Sequence, residues 1–331
     1  MTQDYKILLE NLQGRRFDEA RRESILSESF DESEYGDCIK YCLESMHEVE
    51  PSYAYKAFHI AKKLQEKLNK ELQNRKIKVD FRYQGPIQTE THILLFGGIE
   101  LIVLQESFDN KPWEKVKELT GEIIEILGAD PAYQRVDYSD KYHINVTTTK
   151  PTCEINILPA IWLNNPDFKG SKREIDRGIL EYNFQKKTQR KYLPFRNIAR
   201  INSKDRKTNG GLKSIIRLLR TLQRDAQSRI SLTNFEVSAL MYAIPEKQLI
   251  HNPKKPLALL GIASAQLNRA SSDRKYVETL ISPSQRELVF GKKADKPAEI
   301  QKLKVELDKL ITDIKDELKS EDKNLYSELV Y

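Results

Sequence analysis

From Pro51 to Arg75 the apolar residues Tyr53, Ala57, Ile60, Ala61, Leu64, Leu68 and Leu72 return at helical spacing, with Lys and Glu on the opposite side. A proline in the first turn completes the signature of an amphipathic helix. The period then changes. IKVDFRYQG alternates as a half-buried strand does, and HILLF and IELIVLQESF add apolar, β-rich segments around Gly97 and Gly98. Trp113 to Leu127 returns to helical spacing and stops at Gly128. YHINVTTT and CEINILPAIW alternate again across Lys150-Pro151-Thr152, which predicts a hairpin. Upstream, Ile7, Leu8 and Leu12, then Ile39, Leu43 and Met46, predict two short helices on either side of the acidic stretch SFDESEYGD. Downstream, Ser231–Ile244 and Leu257–Leu267 read as buried helices joined by HNPKKP. Lys296–Asp322 closes as a charged helix with Ile300, Leu303, Leu307, Leu310, Ile314 and Leu318 on one face, expected to pack across two lobes. The order is mixed α/β, and no repeat is visible.

Composition narrows the class without naming a function. The 331 residues are 39% hydrophobic and 31% charged, enough for a sizeable core in a globular protein. Lys and Arg number 55 against 49 Asp and Glu, and a net charge of +6 is too mild to mark a nucleic-acid binder by itself. Cys38, Cys42 and Cys153 are too few and wrongly spaced for a disulfide framework or a four-ligand zinc site. Cys38 and Cys42, one helical turn apart, read as part of a packed helix face, and His59 as a surface or packing residue. With no apolar run of spanning length and no signal-like start, the expected setting is the cytoplasm, with no membrane partner.

The stretch VDFRYQGPIQTETHILLFGGIELIVLQ, residues 79–105, resembles the nucleotide cradle of the cGAS/DncV-like nucleotidyltransferases of the DNA polymerase β superfamily. In that family a strand ends in Gly-Ser, a loop ends in Thr-x-Ile, and the next strand carries Asp-x-Asp. Here Gly85-Pro86, Thr91-His92-Ile93 and Gly98-Ile99-Glu100 stand at those places. The family's third metal-binding Asp lies on a strand similar to Glu154-Ile-Asn156-Ile-Leu-Pro-Ala160, with Asn156 at the ligand position. Asn209-Gly-Gly-Leu-Lys213-Ser-Ile-Ile-Arg217-Leu-Leu-Arg220 resembles the long spine helix, where a Lys near Arg220 reaches the triphosphate. Asn234-Phe-Glu stands in for a phosphate-touching Ser-Tyr, and the segment from Ile281 to Phe290 resembles the C-terminal lobe. The likeness runs from about Pro51 to Leu318. It implies an α/β (α+β) two-lobed nucleotidyltransferase fold, divided as a 1–50 helical extension, a 51–205 core lobe and a 206–331 helical lobe. Gly85, Gln88, Thr91, Lys213, Arg217, Arg220 and Asn234 are the implied phosphate or nucleotide contacts.

The departures shape the functional expectation. Three carboxylates would surround two Mg²⁺ ions with negative charge, whereas Gly98, Glu100 and Asn156 leave one acid, so affinity for a metal pair is expected to collapse. Pro86 also removes a hydroxyl and a backbone N–H from the loop. The chain is therefore expected to have lost transfer activity, with Glu100 at most a weak single-ion ligand, and to act as a nucleotide-binding or regulatory module in anti-phage defence. Two alternatives stand beside it: an active transferase that recruits Asp80, Glu90 or Glu154 to hold Mg²⁺, and a purely structural interaction module. Eighteen cations from Lys169 to Arg229, interleaved with Tyr182, Phe184, Tyr192 and Phe195, suit a nucleotide or nucleic-acid partner or a solvated surface balanced by acids. A protein partner such as a toxin, a nuclease or an active enzyme is the other expected contact.

Overall fold

The computed structural model describes residues 3–16, 35–95, 99–106, 111–128, 130, 132–138, 142–149, 152–293 and 295–321. The chain divides into a helical unit (1–49, 90–95 and 200–331) and a sheet unit (50–89 and 96–199).

The sheet unit begins with α-helix Pro51–Asn74, whose Ala57, Ala61, Leu64, Leu68 and Leu72 are buried as the spacing predicts. Its strands are β1 (Asp80–Gln84), β2 (Ile99–Gln105), β3 (Tyr133–Asp137), β4 (Ile144–Thr148), β5 (Glu154–Leu163), β6 (Gly178–Asn183) and β7 (Thr188–Tyr192). They run in the order β1-β2-β5-β4-β3, with β6 on β5 and β7 on β6. Only β2 with β5 is parallel among these pairs.

Strand alternation gives the sheet two unlike faces. Ile99, Leu101, Val103, Ile155 and Ile157 pack with that first helix and with Pro112–Gly128 in one apolar cluster. Ile102, Leu104, Leu158, Ala160, Trp162, Ile179 and Tyr192 form a second cluster on the other face. Burial of such side chains contributes roughly 1.5–3 kcal/mol each, so a one-residue slip in β2 would exchange Leu101 for Glu100 in the core and is strongly disfavoured.

In the helical unit, Tyr5–Arg16 and Asp37–Met46 pack with Gly211–Asp225, Asn234–Tyr242, Ala258–Ser272 and the long helix Lys296–Glu321 around one core. The residues expected to form a separate N-terminal extension thus share a core with the C-terminal helices. The long helix uses Ile300, Leu303, Leu307, Leu310, Ile314 and Leu318 as read from the sequence, against helices of its own unit. Cys38, Cys42 and Cys153 are free and buried, and burial raises each thiol above its ordinary range.

Gly211 opens the Gly211–Asp225 helix where the chain passes closest to its neighbour. A Cβ there would stand 2.0 Å from the Leu249 carbonyl oxygen. Backbone cannot swing away as a side chain can, so Gly211→Ala is expected to destabilise the protein by about 1–3 kcal/mol, read as a lower urea midpoint.

Among the described residues one predicted strand does not form. HILLF runs as irregular chain at residues 92–95 and belongs to the helical unit, where the Leu95 N–H donates to the Arg15 carbonyl at 2.9 Å. Its apolar run serves burial of Ile93 rather than a ladder. The hairpin turn at 150–151 lies outside the described residues.

Candidate active site

The apolar face formed by Ile102, Leu104 and Leu158 ends in a polar row. Strand registers set Gln84 opposite Glu100, Glu100 beside Asn156, Asn156 opposite Asn145, and Asn145 opposite Asp137. Directly paired residues share a face, and neighbouring strands lie about 4.8 Å apart, so one line of oxygen and nitrogen groups crosses the sheet. Glu100, Asn145 and Asn156 are each half-buried between fully buried neighbours.

Gly85 ends β1 with φ +86°, a left-handed turn that favours glycine, and a Cβ there would stand 2.7 Å from a Glu100 carboxylate oxygen. The chain therefore passes close to the Glu100 carboxyl end, which a Cβ would push aside, and the left-handed φ is what holds glycine at this position. The turn is closed by the Gln88 N–H donating to the Gly85 carbonyl at 3.1 Å and by the Thr89 hydroxyl donating to the Pro86 carbonyl at 3.3 Å. Gln88 thus acts through its backbone in shaping the loop.

Behind the row lies a carboxylate that the motif comparison passed over. Glu181 on β6 has a side chain only 3% exposed and accepts a hydrogen bond from the Tyr192 hydroxyl. The same hydroxyl bonds the Gln84 side-chain amide at 3.2 Å, which ties Glu181 to the residue abreast of Glu100. Burial raises the Glu181 proton affinity; Arg190, Tyr192 and His143 oppose that rise, and the charge of Glu100 adds to it. In the sequence the only signal was an acid inside the otherwise apolar run GILEYN.

Two Mg²⁺ ions need several hard anionic oxygens in fixed geometry. Gly98 has no side chain to ligate and lies outside the described residues; Asn156 offers a carbonyl oxygen without charge. Among the described residues no group of three His, Cys, Asp or Glu gathers around one point. The family's three-carboxylate, two-ion set is therefore not built here, and no reaction step is derived through it.

The replacement acids suggested by the sequence are also placed elsewhere. Asp80 accepts from Trp162 Nε1 at 2.9 Å, four residues and about 13 Å along the strand from Gln84. Glu90 lies in the helical unit, bonded by Lys213 Nζ at 2.7 Å and held below the usual carboxylate range by that bond. Glu154 is exposed at the start of β5.

Lys213, Arg217 and Arg220 do share a helix face, but the expected phosphate-facing role is corrected by their burial. Arg217 donates to the carbonyls of Glu90 at 2.9 Å and Met46 at 2.8 Å, and Arg220 donates to the carbonyl of Thr91. Thr91 is itself buried. These groups hold the 90–95 segment in place, because a buried carbonyl left without a donor is costly. Asn234 is exposed at the start of its helix, behind the capping residue Thr233; no hydrogen bond described joins it to the Lys213 face.

His92, in the same segment, is pushed down to about 4 by burial first and then by Arg220, Arg217 and Arg16, with Glu90 opposing. It folds neutral, so its contribution is complete above the ordinary imidazole range. As pH falls from there to about 4, the unfolded chain takes up a proton that the folded chain refuses, and about 3 kcal/mol of stability is lost. His92→Gln is expected to flatten the urea-unfolding profile in that window relative to the parent.

The basic stretch is largely engaged. Arg173 and Arg196 pair with Asp176, Arg177 with Glu106, and Lys207 with Glu246, while Lys204 donates to the carbonyls of Tyr242 and Ile244. Lys186 and Lys187, at the β6–β7 turn, are exposed. No described helix is long and apolar enough to cross a membrane.

No family model matches the chain. Individual proteins do. A cyclic dinucleotide synthase CdnE of Yersinia aleksiciae is 25% identical over 346 residues, covering 97% of this chain and 90% of that one. A c-di-GMP synthase of Flavobacteriaceae sp. genome_bin_11 is 29% identical over 322 residues, covering 85% and 86%. The solved structure of a STING-associated CdnE c-di-GMP synthase from Capnocytophaga granulosa matches with a TM-score of 0.79 and 26% identity over 96% of this chain and 100% of that one. A c-UMP-AMP synthase from Rhodothermus marinus, at 15% identity and a TM-score of 0.60, shares the fold.

These matches overturn the expectation of an inactive regulatory module. Relatives aligned along 97% and 85% of the chain are synthases by name, although two of the three metal-binding motif positions differ here. Sequence motifs, sheet topology and structural likeness agree: the chain has a nucleotidyltransferase fold and is similar along nearly its whole length to cGAS/DncV-like synthases.

Proposed function

We propose that this protein is a cyclic dinucleotide synthase. The observation that carries the reading is the likeness to named synthases over 97% of the chain in the Yersinia protein and 96% in the Capnocytophaga structure. Gly85 and Glu100, side by side, support it from within the molecule. In the reaction, a 3′-oxygen of one nucleoside triphosphate attacks the α-phosphorus of another; the new P–O bond replaces the bond to pyrophosphate, which leaves, and the hydroxyl proton goes to a base or to solvent. A second such step closes the ring. The tight Gly85 turn lets backbone approach phosphate oxygens closely, and the row sets Glu100 among three carboxamides, Gln84, Asn156 and Asn145, with Asp137 at its end, on the same face.

GTP is the first substrate to test, since two of the matched relatives make c-di-GMP by name. The product is assigned a signalling role in anti-phage defence, in keeping with the STING association of the Capnocytophaga enzyme. Mg²⁺ or Mn²⁺ is the expected cofactor.

The test is incubation of the protein with each α-³²P-labelled nucleoside triphosphate, alone and in pairs, in Mg²⁺ or Mn²⁺. A phosphatase-resistant labelled product supports the reading. Its absence under every combination contradicts it.

A further inference from the structure

We propose that a cavity on the other face of the sheet from the Glu100 row is a second nucleotide site, with base rings held against Tyr55 and Tyr133 and phosphate oxygens met by Lys56 and Lys63. The inference goes beyond the synthase reading, since binding there needs neither metal nor turnover.

The cavity, about 770 Å³, is bordered by helix Pro51–Asn74 on one side and by edge strand β3 with the end of β4 on the other. Pockets for small organic ligands run to about 300–1,000 Å³, so a nucleotide fits. It is a separate site. The helix packs on the Ile99, Leu101 and Val103 face, whereas alternation turns Glu100 to the opposite face, with Ile102 and Leu104. Ile60, Leu64 and Tyr133 give the cavity an apolar wall, and Tyr55, 77% exposed, lines its open side. Two phenol rings at one cavity are stacking surfaces for a base of any identity.

The charge of the lining is one-sided. Lys56, Lys63 and Lys67 follow one stripe of the helix, about 16 Å from first to last, and all three line the cavity. Against them stands one lining acid, Asp130. It pairs with Lys67, whose Nζ also lies 5.5 Å from the centre of the Tyr133 ring. Three lysines less one aspartate leave a surplus of two positive charges. Lys63 is exposed and has no ion pair among the described residues. Glu66 and Glu71, the acids of the same helix, fall outside the lining, so this stripe lacks the mixed signs of a merely solvated face. His59, between Lys56 and Lys63, adds an imidazole to the same wall. Aromatic faces beside ammonium donors match a base joined to phosphate, a chemistry shared by a nucleoside triphosphate and a finished cyclic dinucleotide.

The experiment is ultraviolet cross-linking of 8-azido-GTP to the full-length protein in EDTA, with labelled peptides mapped by mass spectrometry and GTP, c-di-GMP or inorganic phosphate as competitor. Label is expected on the peptides that carry Tyr55 or Tyr133. GTP or c-di-GMP should suppress it where the same concentration of phosphate does not, and the one that competes at the lower concentration identifies the source. Lys56→Glu combined with Lys63→Glu, both at exposed positions, is expected to weaken this labelling about tenfold or more. Circular dichroism and thermal melting establish that the variant is folded. Label confined to other peptides, label unchanged by the double charge reversal, or competition by phosphate as strong as by nucleotide overturns the inference. The readout needs no turnover: a protein that makes product but takes label elsewhere loses this site alone, whereas label here without any product counts against the synthase reading alone.

Discussion

Glu100→Gln is expected to lower product formation by about 10³-fold, with the protein still folded. Glu100 is the one acid kept at the three positions where the family binds metal, and it stands between Gln84 and Asn156 in the polar row. The substitution keeps the shape of the side chain, so it removes charge without opening a cavity. Gln84, Asn145 and Asn156 remain as neutral groups and cannot replace an anion that offsets cations or accepts a proton during phosphoryl transfer. Product formation per folded molecule, measured from the initial rate at saturating nucleotide, is the readout. A variant that retains a tenth or more of the parent rate would place the essential acid elsewhere.

The largest effect on stability is expected at a buried ion pair far from that row. Arg16, 2% exposed, lies 2.8 Å from a Glu44 carboxylate oxygen, itself 7% exposed. It also donates to the carbonyls of Glu44 and His47. Glu44→Ala leaves the guanidinium charge buried with carbonyl dipoles alone, at a cost of about 3–5 kcal/mol. The double substitution of Arg16→Met with Glu44→Leu removes both charges and is expected to recover most of that loss, because two charges no longer need to be taken out of water. Urea unfolding of the parent and the variants checks both statements. An unchanged midpoint in Glu44→Ala would show that the carbonyls alone hold Arg16.

What could be read from the sequence depended on whether a feature is periodic. Leu64, Leu68 and Leu72, or Ile300 to Leu318, repeat because a helix repeats, and they are buried as expected. The alternation of Ile155, Ile157 and Asn156 gave the two faces of β5 directly. HILLF misled, since a short apolar run shows burial but not geometry; the segment is held by Arg220 and by the Arg15 carbonyl, contacts distant in sequence. The Lys213, Arg217 and Arg220 stripe was located correctly, but charge on one helix face does not say whether that face meets solvent or backbone carbonyls.

The site was legible only in part for a related reason. Gly85, Glu100 and Asn156 sit in matched motifs and could be found by spacing. Glu181 could not, because its place beside the row depends on a hairpin, β6–β7, that the sequence reading took for a basic stretch. Counting carboxylates at the three motif positions therefore led to the expectation of lost activity. The likeness to whole synthases integrates many such contacts at once, and so corrected an inference drawn from three positions.

The most direct test of the account is mass spectrometry of the products formed by the purified full-length protein from all four nucleoside triphosphates in Mn²⁺, beside the Glu100→Gln variant. The account predicts a cyclic dinucleotide, with pyrophosphate released twice for each ring, in the parent and none above background in the variant. Recovery of unreacted triphosphates alone from the parent would contradict it.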